Sequence, residues 1–286
     1  MFPGKLQGDV MEAPSAPNGV GWVCETCGVQ ASPSRTPPLE CPICLDERQY
    51  VGWNGQRWLA PAGIAKSQHI VFRSEDGVTT MVLAPGVAIN QRAFLLPHAG
   101  GHIMWECLAG VTDEAVARIA AMGGVTAIAI SHPHFYGAMA EWSEALGDVP
   151  IYIHAADQDW IQRPSANIRL WTGEGLKLTG TIELVRLGGH FDGSAGLWWA
   201  DGPRPGGALF PGDAIQVAMD RRFAAFMYSY PNAIPLGREA LAHLERQVKP
   251  LAFDDVFGFS TDRQIIGGAK AAIARSFDRH RNAIAA

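Results

Sequence analysis

The chain has 286 residues, a formal charge of −5 and 18% charged residues. A globular chain of this length buries roughly 75% of its unfolded surface, so it needs no disulfides to hold a core. Twelve Phe, nine Trp and five Tyr exclude a disordered chain. The lack of a Lys/Arg block argues against a nucleic-acid partner. The lack of an 18-residue apolar run argues against a membrane span. Met1 to Asp9 contain no apolar signal core, so a cytoplasmic location is expected.

Residues 1–20 are rich in Pro, Gly, Ser and Asn and read as a flexible arm. Two C-x-x-C pairs follow, Cys24/Cys27 and Cys41/Cys44, with 13 residues between them. Each such turn can aim two sulfurs at one point, and two turns complete a tetrahedron. The segment between them, Ser32 to Pro38, is polar and Pro-rich, so metal would replace the core this small unit lacks. Two disulfides would call for an oxidising compartment. A redox C-x-x-C would call for a neighbouring βαβ unit, and none surrounds it. The C-x-x-C-G and C-P-x-C pattern resembles the rubredoxin-like zinc-ribbon group, over residues 22 to about 50. The expected occupant is a structural zinc on Cys24, Cys27, Cys41 and Cys44, although iron also suits four thiolates. The ribbon is assigned to residues 21–57 and the main domain to 58–286. Cys107, alone in an apolar run, reads as a buried small hydrophobe.

In the main domain, short apolar runs are broken by Gly, Pro and Asp. Strands are expected at Met81–Leu83, Ala93–Leu96 and His102–Cys107. Thr112 can cap a helix whose first turn carries Asp113 and Glu114, and Gly123-Gly124 ends it. Val125–Ile130 is a buried strand, a second helix runs from near Tyr136–Gly137 to Leu146, and Ile151–His154 is a further strand. A meander follows at Ile168–Trp171, Lys177–Leu178, Ile182–Arg186, Gly196–Ala200 and Ala208–Phe210. Helices at Arg238–Val248 and Lys270–Ala283 close the chain. Two groups of strands, each followed by helices, imply two packed sheets with helices outside.

The chemistry-bearing residues follow strands. Ser131-His132-Pro133-His134 follows the strongest of them, Gly188-Gly189-His190 follows Ile182–Arg186, and Pro211-Gly212-Asp213 follows Ala208–Phe210. Imidazoles with one carboxylate suit zinc or iron. The order S-H-P-H, G-G-H-x-x-G-S and F-P-G-D, with G-G-H-I-M-W-E at 100–106, resembles the metallo-β-lactamase-fold hydrolases over about residues 70–260. The resemblance implies an α/β fold, the four-layer αββα sandwich, and a metal site on His132, His134, His190 and Asp213. It places Glu106 where that group carries Asp. The second metal site of the group does not carry over. Tyr136 and Gly137 stand where its motif has Asp and His, and Asp255 to Phe259 offer no late His. A mononuclear zinc or iron centre is therefore expected. Asp213 would act as ligand or base, and Tyr136 would donate to a developing oxyanion.

His154 and Tyr230 are expected to line the substrate pocket. The resulting function is hydrolysis of a small-molecule ester, thioester or lactone. A mononuclear iron oxidoreductase and a degraded site kept for binding or scaffolding are the alternatives.

Overall fold

The computed structural model describes residues 19–285; the arm expected at 1–20 lies almost wholly outside them. Two sheets form the body. The first has seven strands in chain order: His69–Glu75, Val78–Ala84, Arg92–His98, Gly101–Trp105, Val125–Ala129, Ile151–His154 and Ile168–Trp171. The first four pair antiparallel, and the last three join in parallel through helical crossovers. The second sheet has six strands in chain order, Gly175–Lys177, Ile182–Arg186, Ala195–Trp199, Ala208–Phe210, Asp255–Phe257 and Gln264–Ile266.

Strand alternation sends side chains to opposite faces. On Arg92–His98, Phe94 and Leu96 enter the layer between the sheets, where they meet Leu197, Trp199, Phe210 and Phe257. Ala93 and Leu95 face the other way, into a core shared with Ile119 of the helix Asp113–Ala121 and Trp142 of the helix Met139–Ala145. The outer face of the second sheet is covered by Arg238–Val248 and Ala269–Ala285, through Leu241, Leu244, Ile273 and Phe277. This is the expected αββα layering. Thr112 caps its helix as read, its hydroxyl accepting from the Ala115 N–H at 3.2 Å.

One local expectation changes, and three elements are new. The helix expected from Tyr136 to Leu146 is split into a 3-10 turn, Pro133–Phe135, and the helix Met139–Ala145. Gly137 separates them with φ +47°, which a helix does not accept. The edge strands His69–Glu75 and Gln264–Ile266 and the helix Pro61–Ser67 were not read from the sequence. The first of these is half-exposed and carries Arg73 and Glu75, so its apolar alternation is weak.

The four-cysteine unit is built into the first helical layer. Val23, Cys24, Ile43 and Cys44 share one apolar cluster with Leu108, Tyr136 and Ala138. Val23–Cys24 pairs with Trp58–Leu59, so the expected boundary at 57/58 separates the two strands of this pairing. No helix among the described residues is long and apolar enough to cross a membrane.

Phe210 stacks on Phe257 and meets Phe94 edge-on, with ring centroids 4.9 and 5.1 Å away. Phe210→Ala should therefore lower unfolding free energy by about 3–5 kcal/mol, read from urea melts followed by tryptophan fluorescence.

Candidate metal centre

Two groups of possible ligands come together among the described residues. The first is Cys24, Cys27, Cys41 and Cys44, all buried, with ligand atoms within 4.8 Å of one another. The Cys24–Cys44 and Cys27–Cys41 sulfurs lie 3.5 and 3.6 Å apart. That is far beyond a disulfide bond. It is close to the ~3.8 Å edge of a tetrahedron with 2.3 Å metal–sulfur bonds. All the cysteines are free thiols. The site fits one metal ion, while Cys107 is fully buried elsewhere, as expected.

The second group is His132, His134, His190 and Asp213, again within 4.8 Å. Each arrives from a strand end. His132 is extended, and Pro133 at once opens a 3-10 turn, so the two imidazoles on either side of it converge. Asp213 sits in the turn Gly212–Ala214. Gly212 has φ +54°, and a Cβ there would lie 2.5 Å from Ser131 Oγ, so only glycine lets this turn close on the His132 strand end.

Asp213 Oδ2 lies 3.4 Å from His132 Nε2, 4.0 Å from His134 Nδ1 and 4.0 Å from His190 Nε2. His190 Nδ1 is 2.7 Å from the Tyr228 carbonyl oxygen. A carbonyl only accepts, so Nδ1 carries the proton and Nε2 turns its lone pair to the cluster. Ser131 Oγ, 2.7 Å from His132 Nδ1, permits the same arrangement there.

The charge pattern fits a cation. Burial pulls His134 down to about 4 and His190 well below the ordinary imidazole range, so both are neutral near pH 7. Burial would raise Asp213, but the adjoining His132 and His134 imidazoles outweigh it and keep this carboxylate charged. His132 Nε2 and Asp213 Oδ1 are buried without hydrogen-bond partners. A buried anion beside the neutral His134 and His190 imidazoles calls for positive charge, and a metal ion would supply it.

Tyr136 and Gly137 are taken up by packing. Tyr136 is fully buried, and its hydroxyl donates to the Asp157 carbonyl at 3.0 Å instead of facing the cluster. The expected oxyanion-donor role of Tyr136 thus has no support in its placement. A Cβ on Gly137 would lie 2.6 Å from the Leu108 carbonyl oxygen, and the Gly137 carbonyl accepts from Gln30 of the four-cysteine unit at 3.0 Å. Phe257 belongs to the core between the sheets, and Phe259 packs against Phe135.

Tyr230 does border the cluster. Its ring is 5.8 Å from His190, and its hydroxyl donates to the Asp213 carbonyl at 2.7 Å. His154 does not. Its ring nitrogens meet the Ala156 N–H and the Gly173 carbonyl at 3.2 and 3.1 Å, so it serves the backbone at a strand end.

Three residues near the centre were missed. Arg48 and Gln91 touch the ligands' backbone, and Asp157 accepts from the Gly193 N–H at 2.7 Å beside the His190 loop. Burial raises Asp157 to about 6. Their residue types are ordinary, and only the fold brings them here. Glu106, noted in the sequence, is also buried. Its Oε2 accepts from the Ser131 N–H at 3.0 Å, and burial pushes it up to about 8.

No family model matches the chain. It is 39% identical over 266 residues to the uncharacterized protein YmaE of Bacillus subtilis (strain 168), covering 92% of this chain and 96% of YmaE. The chain belongs to the YmaE family. Among solved structures, this YmaE relative is similar to VMB-1, with a TM-score of 0.57 and 11% identity over 76% of this chain and 99% of that one. It is also similar to DIM-1 metallo-β-lactamase, with a TM-score of 0.54 and 12% identity over 76% and 98%. TMB-1 gives a TM-score of 0.54 at 11% identity, over 74% and 99%. The sandwich of the YmaE relative is thus the metallo-β-lactamase fold.

Two outcomes follow from the site. Glu106, at about 8, keeps its proton over a range where the unfolded chain has lost it. Folding therefore takes up a proton there, and with the histidine site empty stability should fall as pH rises from about 5 to about 8. Glu106→Gln should flatten that slope in urea melts across the window. Gly137→His restores the motif residue but meets the Leu108 carbonyl. It should cost more than about 2 kcal/mol in the same melts and add no metal by elemental analysis.

Proposed function

We propose that this chain is a metal-dependent hydrolase with a mononuclear centre on His132, His134, His190 and Asp213, acting on a small ester, thioester or lactone. The observation that carries the reading is the buried carboxylate aimed at three convergent imidazoles. When bound, a metal ion there would lower the pKa of a coordinated water toward about 7 and polarise a carbonyl.

The chain's own residues divide the remaining work. The three imidazoles hold the cation through His132 Nε2, His134 Nδ1 and His190 Nε2, and the Tyr228 carbonyl fixes the His190 tautomer. Asp213 presents Oδ2 to the imidazoles and leaves Oδ1 without a partner. Oδ1 is the atom that would accept the proton of an attacking water. Tyr230, donating to the Asp213 carbonyl, sets the backbone that carries this carboxylate. Phe135, Phe191 and Phe259 line the surroundings with apolar rings and limit water near the centre.

Elemental analysis of the full chain tests the metal, and a panel of esters, thioesters and lactones tests the reaction. Two zincs per chain are expected, with His190→Ala losing the second and keeping the cysteine-bound one. Asp213→Asn should lower turnover by at least about 100-fold. Iron at the histidine site would favour the oxidoreductase alternative. A metal-loaded protein inert on the whole panel would favour a binding role.

A further inference from the structure

The four-cysteine unit reaches the histidine centre along several separate paths. After Cys44 the chain continues through Asp46, Glu47 and Arg48. Asp46 accepts from Arg48 Nε at 2.6 Å and Nη2 at 2.9 Å, fixing the guanidinium plane. That plane lies 3.9 Å over the Phe191 ring, and Nη1 donates to the His190 carbonyl at 3.2 Å.

Glu47 holds the partner of the same histidine. Its Oε1 accepts from the Tyr228 hydroxyl at 2.8 Å, and its carbonyl accepts from Ser229 Oγ and Asn232 Nδ2, each at 2.6 Å. Tyr228 is the residue whose carbonyl orients His190 Nδ1. Gln91 makes the third link. Its buried Nε2 donates to the Cys27 carbonyl at 2.6 Å and to the His134 carbonyl at 3.0 Å.

We propose that Arg48 is a positioning residue for His190, and that through Arg48, Glu47 and Gln91 the metal in the four-cysteine site sets the metal affinity of the histidine centre. A bound ion would tie the Cys24–Cys27 and Cys41–Cys44 turns together at one point, and the segments carrying Glu47, Arg48 and the Cys27 carbonyl leave directly from those turns. Partners that orient metal ligands typically change affinity 10–100-fold when removed. Coupling of this kind is reciprocal, so filling the histidine site would also help retain the cysteine-bound metal. The inference requires only that the histidine cluster takes a metal; it does not depend on the reaction.

Coulomb's law makes the sign decisive. Arg48 is a positive group close to a cation site, so charge removal alone predicts tighter metal binding in Arg48→Ala. Positioning predicts weaker binding. The experiment uses the full chain with its cysteine site loaded and its histidine site emptied by a chelator, then titrated with Co2+ and followed by visible absorbance. Arg48→Ala should weaken Co2+ binding about 10–100-fold while the chain stays folded by circular dichroism and keeps the cysteine-bound metal. Arg48→Lys keeps the charge but not the two-pronged pairing with Asp46, and should weaken it as well. Cys41→Ser should lose the first metal and weaken Co2+ binding at the second site at least as far. Unchanged or tighter binding in Arg48→Ala would overturn the proposal, as would an unchanged second site in a folded Cys41→Ser. If Cys41→Ser does not fold, the two Arg48 variants decide alone. Failure of the parent chain to take Co2+ would overturn both this inference and the proposed hydrolase. Binding by the parent with no Arg48 effect would overturn this inference only.

Discussion

A buried carboxylate facing three convergent imidazoles is the constraint on which the rest of this site turns. Asp213 stays charged at 6% exposure, and among the nitrogens around it burial pulls His134 and His190 toward the neutral form. Isolated charge of this kind is costly in a low-dielectric interior and persists only with a counter-charge. The glycine at 212, the bend at Pro133 and the carbonyl on His190 Nδ1 all serve to aim donor atoms at one small volume.

The fold explains why the centre sits where it does. Two sheets packed face to face leave their strand ends side by side at one rim, so loops that are distant in sequence become neighbours. His132 comes from the first sheet, and His190 and Asp213 from the second. The same rim receives the four-cysteine unit. Gln30 bonds the Gly137 carbonyl, and Tyr136 joins the core beside it.

Much of the centre was legible in the sequence because its signals are local. A His-Pro-His triplet after a β-branched run, a Gly-Gly-His after a strand and a Gly-Asp after another each combine residue type with an element end. The αββα layering was legible for the same reason, through strand alternation and helix stripes. Other placements depend on partners distant in the chain. Tyr136 stood next to the ligands in sequence and was given a catalytic hydroxyl, but the peptide turns it inward to Asp157. His154 sat at a strand end like the ligands, yet both its nitrogens are taken by backbone. Half-exposed edge strands carry no clean alternation and were missed.

The sequence by itself determined the ligand types, the sandwich and the absence of the usual second-metal residues, since each is written in short stretches whose chemistry does not depend on distant neighbours. Only the tertiary structure decided that Arg48, Glu47, Gln91 and Asp157 belong to the neighbourhood of the centre. An arginine or a glutamine carries no mark of its partner, and the carbonyls of His190 and His134 lie 142 and 43 residues away from the side chains that bind them. Contacts of that span follow from how the layers close on one another, which is set by the whole core at once.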